Sequence, residues 1–103
     1  MPTVLARFNI NPGKEAEAEA AIKAQAASVE AGEPGALTYI FLRGRDNPAE
    51  VIVFEIYKDK DAFAELGATA HMGAFRSYFG SIFDPASVKI ERLEQIAGVN
   101  RGS

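Results

Sequence analysis

Thr3 to Ile10 (TVLARFNI) alternates loosely between apolar and polar positions and is rich in β-formers, which predicts a strand. Asn11-Pro12-Gly13 behind it is turn chemistry. Lys14 to Ala31 is the clearest helix: eight of its 18 residues are alanine and none is glycine or proline. Ile22 and Val29, with Ala18, Ala21 and Ala26, fall along one stripe of it. Glu15, Glu17 and Glu19 crowd its first turns, where the helix dipole favours anions. Gly32-Glu33-Pro34-Gly35 stops it.

Ala36–Arg43 (ALTYIFLR) and Val51–Lys58 (VIVFEIYK) predict two more strands, apolar on both faces, joined across the turn-rich Gly44–Glu50. Lys58-Asp59-Lys60-Asp61 is a polar break, and Asp59 or Asp61 can cap a short helix over Lys60–Leu66. His71–Ile82 reads as a second helical piece, with Phe75, Phe79 and Ile82 at i, i+4 and i+7, closed by Asp84-Pro85. Ser87–Ala97 is expected as the last strand, and Gly98–Ser103 as a frayed tail. One domain over residues 1–97 follows.

The order β-α-β-β-α-β, with the second α broken in two, defines the fold class as α+β: ferredoxin-like, one antiparallel sheet, both helices on one face. The opposite face is then bare, yet the inner strands are apolar on both sides: Ile52, Phe54 and Ile56 on one, Val51, Val53 and Tyr57 on the other. Face-to-face packing of two sheets in a homodimer is the economical expectation.

Composition narrows the chemistry. The 103 residues fit one domain, and 18 of the 49 hydrophobic residues are alanine, which buries little area. With no cysteine, the chain forms no disulfide, thiolate metal site or iron–sulfur cluster, and a zinc site would need mostly carboxylates beside the single His71. No iron–sulfur or thiolate metal cofactor is expected. Net charge is −3 with no dense basic patch, which argues against nucleic acid. No apolar run approaches the ~20 residues that span a bilayer. Met1–Val4 has no charged region followed by an apolar stretch, so a cytoplasmic protein without a signal peptide is expected.

Glu55 lies mid-strand on the face of Val51, Val53 and Tyr57, and a carboxylate there is costly to bury unless paired. Its reading is divided between a partly solvated or salt-bridged strand position and a pocket acid or base with a raised pKa. His71, at the helix junction, is either a plain helix-start histidine or a proton carrier near neutral pH. Tyr57 reads as a packing residue that keeps its hydroxyl wet. Phe75, Phe79 and Phe83 read as core or pocket wall. No nucleophile triad, phosphate loop, dinucleotide fingerprint or metal motif is present.

The stretch Val53-Phe54-Glu55-Ile56-Tyr57-Lys58-Asp59, then Ala62-Phe63 and His71, resembles the core signature of the antibiotic biosynthesis monooxygenase domain family. Pro12-Gly13-Lys14 resembles that family's helix entry, and Glu33-Pro34-Gly35-Ala36-Leu37-x-Tyr39 its second-strand junction. The resemblance implies the dimeric α/β barrel fold and cofactor-independent oxidation of a small phenol or hydroquinone by O₂. It implies His71 as base or anion-stabilising donor, Glu55 tuning it and Tyr57 bonding the substrate, with Val53, Phe75 and Phe79 lining the substrate pocket. Leu66 stands where many members carry another histidine. Haem-degrading members have an Asn, a Trp and a His where this chain has Ala6, Tyr57 and the neighbourhood of Phe79, so haem degradation is not expected. Isomerisation of a small phosphorylated dione, or a non-catalytic ligand-binding dimer, are the alternatives within the fold.

Overall fold

Thr3–Ile10 (β1), Ala36–Arg43 (β2), Glu50–Tyr57 (β3) and Phe83–Leu93 (β4) form one antiparallel sheet in the order β2-β3-β1-β4. The computed structural model describes residues 1–99 and 101, so the expected frayed tail falls partly outside the described residues. Glu15–Gly32 (α1), Lys60–Gly67 (α2) and Ala70–Arg76 (α3) complete the chain, and α1 and α2 pack on β2 and β3. This is the ferredoxin-like α+β fold. No helix among the described residues is long and apolar enough to cross a membrane.

Alternation along the strands sets the two faces. Phe8, Ile10, Val51, Val53 and Phe83 are buried with Ala18 and Phe75 in the main core under the helices. A smaller cluster holds Val29, Tyr57 and Leu66. The other face carries Ile52, Phe54 and Ile56 in mid-sheet, with Leu37, Ile40, Leu42 and Leu93 exposed. Arg7 lies on this face and pairs with Glu50 at 3.4 Å.

Capping accounts for the short helices. Asp59 Oδ1 accepts from Ala62 N at 2.8 Å and Thr69 Oγ1 from Met72 N at 3.2 Å, which satisfies amides that a helix start leaves open.

Several boundaries differ from the sequence expectation, α1, α2 and β3 by a single residue. The helix expected over His71–Ile82 ends at Arg76. Turns carry the chain through Phe79 to Gly80, whose φ of 112° is left-handed, and Gly80 N bonds Phe83 O at 2.7 Å. Phe79 and Ile82 still reach the core, from a turn and not a helix. The last strand starts four residues early, at Phe83, and ends at Leu93 instead of Ala97. Asp84-Pro85 lies inside it: β4 is an edge strand, and the register slips between Arg7 and Asn9, where Ser87 Oγ accepts from Asn9 N at 2.8 Å. Proline is tolerated at such an edge irregularity. The third strand runs Glu50–Tyr57, one residue earlier than Val51–Lys58.

Candidate active site

A cavity of about 460 Å³ opens between the sheet and α3. That volume suits a small aromatic molecule. Its wall is apolar apart from Tyr39, Glu55 and Arg76. Phe8, Phe75 and Phe79 make an aromatic end, with Phe8 5.1 Å from Phe79 and 6.3 Å from Phe75, edge to face. Met72, Phe75 and Arg76 reach it from one side of α3, at i, i+3 and i+4. Pro85, Val88 and Ile90 bound it along β4. Val88 is 38% and Ile90 64% exposed, so the cavity opens at that edge strand.

Glu55 is held on the cavity side of β3 by strand alternation, between Val53 and Tyr57. Burial pushes its carboxyl above the usual carboxylate range, and a hydrogen bond from the Tyr57 hydroxyl pulls partly back. Tyr57 is 0% exposed and packs edge-on to Phe63 at 5.0 Å. Its hydroxyl is therefore not wet, as the sequence reading had it, but donates to Glu55. Burial, then the charge and hydrogen bond of Glu55, keep that hydroxyl firmly protonated. Tyr57 is a proton donor to the carboxylate and not itself a base.

Tyr39 faces Glu55 directly across the β2–β3 ladder. Burial above all pushes its hydroxyl up to about 12; the hydrogen bond from Gln25 opposes this and the Glu55 charge adds to it. Arg76 gives an N–H to the Gly67 carbonyl, tying α3 to the end of α2.

Of the residues expected at the site, Glu55, Val53, Phe75 and Phe79 border this cavity. Tyr57 reaches it through Glu55. His71 is half-buried on α3 and is not part of the wall; its Nε2 is buried with no hydrogen-bond partner. Leu66 fills the smaller core cluster against Tyr57. Sequence reasoning missed Tyr39, Met72, Arg76 and Gln25. Gln25 had a signal: it falls at i+7 from Ala18 and i+3 from Ile22, on the buried stripe. Among the described residues no cluster of three His, Asp or Glu side chains could hold a metal ion.

The fold and site define a small ferredoxin-like domain whose mostly apolar cavity contains one half-buried, tyrosine-bonded carboxylate. The family model for antibiotic biosynthesis monooxygenases matches residues 1–78, and the chain belongs to that family. An antibiotic biosynthesis monooxygenase homologue of Caulobacter crescentus is 30% identical, with a TM-score of 0.85 over 93% of this chain and 90% of its own. PA3566 from Pseudomonas aeruginosa is 25% identical, with a TM-score of 0.83 over 93% of this chain and 95% of its own. SnoaB, a cofactor-independent oxygenase from Streptomyces nogalater, superimposes with a TM-score of 0.79 over 95% of each chain; at 21% identity it shows the fold alone. No protein with a curated description matches the sequence.

Proposed function

We propose that the protein is a cofactor-independent oxygenase for a small phenol or hydroquinone, with Glu55 as the base. The carrying observation is a carboxylate with a raised pKa in a cavity of about 460 Å³ whose only other polar wall residues are Tyr39 and Arg76 among the described residues. Desolvation makes such a carboxylate a better proton acceptor once ionised. It takes the proton of the phenolic hydroxyl, and the electron pair stays on the substrate. The electron-rich anion reduces O₂: one oxygen atom bonds to carbon, and the other leaves as water. A phenol and O₂ become a quinone and water, and the substrate supplies all the electrons.

Val53, Phe75 and Phe79 hold the ring and exclude water, and Tyr57 holds the carboxylate in place. The base role passes from His71 to Glu55 because the carboxylate borders the cavity and the imidazole does not. SnoaB, of the same fold, is a cofactor-independent oxygenase, which agrees with this reading. We propose too that the open sheet face, with Leu37, Ile40 and Leu42 exposed, closes against a second copy. Oxygen uptake with a panel of quinols tests the activity, and equal uptake by wild type and Glu55→Gln refutes the role given to Glu55.

A further inference from the structure

The scheme above leaves a second polar group of the cavity idle. Tyr39 borders the same space as Glu55, from the directly opposed position on the next strand. Opposed residues on one sheet face have Cβ atoms about 5 Å apart. Both side chains line the one cavity from paired strand positions, so one ligand can meet both.

What makes Tyr39 more than wall is the side chain behind it. Gln25, 3% exposed, is a polar residue in the buried stripe of α1. Its Nε2 lies 3.3 Å from the Tyr39 hydroxyl and 3.8 Å from Met72 Sδ. A thioether has no proton to give, so the amide nitrogen, not its oxygen, faces the pair. Gln25 therefore donates to Tyr39 and occupies a lone pair on the hydroxyl oxygen. The Tyr39 proton has no acceptor among the described residues. A buried tyrosine hydroxyl ordinarily finds one.

Resting on the reading of Glu55 as proton acceptor, we propose that Tyr39 is the hydrogen-bond donor to the ligand's anionic oxygen and that Gln25 is the residue positioning it. The ligand is then an aromatic hydroxyl compound bound through one oxygen shared by two groups. Its O–H proton goes to Glu55, the electron pair stays on oxygen, and the Tyr39 O–H donates to that pair. A donor fixed in advance costs no reorganisation when the charge forms, and a mostly apolar wall strengthens the bond.

The experiment is equilibrium binding of 4-nitrophenol and of nitrobenzene, under nitrogen, to wild type, Tyr39→Phe and Gln25→Leu. The two probes share the ring and differ in the hydroxyl, so their affinity ratio isolates the polar contact from packing. Tyr39→Phe keeps the ring that packs on Phe41 at 5.2 Å. Wild type is expected to prefer 4-nitrophenol. Tyr39→Phe should cut that preference about tenfold or more, as loss of a hydrogen bond to an anion does. Gln25→Leu should cut it by a smaller factor, with nitrobenzene affinity unchanged in Tyr39→Phe. An unchanged ratio in Tyr39→Phe, equal losses for both probes, or no preference in wild type overturns the proposal. A retained, Tyr39-dependent preference with no oxygen uptake from any phenol supports this binding mode and overturns the oxygenase reading instead.

Discussion

A Cβ placed on Gly35 would stand 2.5 Å from the Cβ of Ala62. The bend ahead of β2 thus lies directly on the first turns of α2. The Gly35 carbonyl also accepts from Lys58 N at 2.8 Å, next to Tyr57. Glycine is needed here for close approach and not for its backbone angles. We expect Gly35→Ala to push α2 off the sheet and cost about 1–3 kcal/mol, the usual range for overpacking. Ala62→Gly alone should cost up to about 1 kcal/mol in helix propensity. Combined, they should be more stable than the sum of the single effects predicts. Thermal or urea unfolding of the four proteins checks this; simple additivity contradicts it.

Glu55→Gln keeps the shape of the side chain and removes the base. Oxygen uptake should fall about 10²–10⁴-fold, the range for loss of a general base. In wild type the rate should rise with pH through the raised carboxyl pKa, since only the ionised form accepts a proton. The residual rate of the variant should lose that limb.

Tyr57→Phe removes the hydrogen bond that lowers the Glu55 pKa. The acidic limb of the rate profile should move to higher pH. Stability should fall by about 1–3 kcal/mol at a pH where Glu55 is ionised, because a buried carboxylate loses its donor. A profile in the wild-type position contradicts the coupling.

The same carboxyl sets a pH dependence of folding. Its folded-state pKa lies above its ordinary value, so the folded protein binds the proton more tightly than the unfolded chain. That contribution is complete below the unfolded pKa and is lost as pH rises through the folded one. Glu55→Gln should therefore melt a few degrees above wild type at neutral pH and near it below pH ~4, the ordinary carboxylate range. Scanning calorimetry across that window reads the crossover; a variant less stable at neutral pH refutes the sign.

Ile40 is 47% exposed on the open sheet face, so Ile40→Asp removes little core packing. It should weaken self-association at least tenfold while the melting temperature of the dilute protein changes little. Light scattering at micromolar concentration reads this directly, and a monomeric wild type contradicts the dimer.

The strands were legible because β-branched and aromatic residues crowd TVLARFNI, ALTYIFLR and EVIVFEIY between turn signals, and β1 and β2 begin and end where the pattern does. Long-range terms defeated the pattern elsewhere. Pro85 reads as a stop, yet Phe83 and Asp84 pair with Ile10 and Asn9. The spacing of Phe75, Phe79 and Ile82 mimics a helix, yet the helix stops at Arg76 and turns carry Phe79 and Ile82 to the core on either side of Gly80. In the site, Glu55 stood out as a carboxylate in an apolar strand. Gln25 stood out less, because its place on the buried stripe of α1 is a weaker signal than its polarity until the Tyr39 hydroxyl it bonds is known. Tyr39 met the same obstacle from the other side, since its neighbour Gln25 lies 14 residues away.

Val88 and Ile90 border the cavity from an edge strand, and neither belongs to either core cluster. Replacing them with larger or smaller side chains changes the room for a ligand without emptying or overfilling the interior. Ligand size and folding stability are thus adjustable separately at these two positions. A lineage or an engineer can change what enters at the β4 rim while Glu55 and its tyrosines stay untouched.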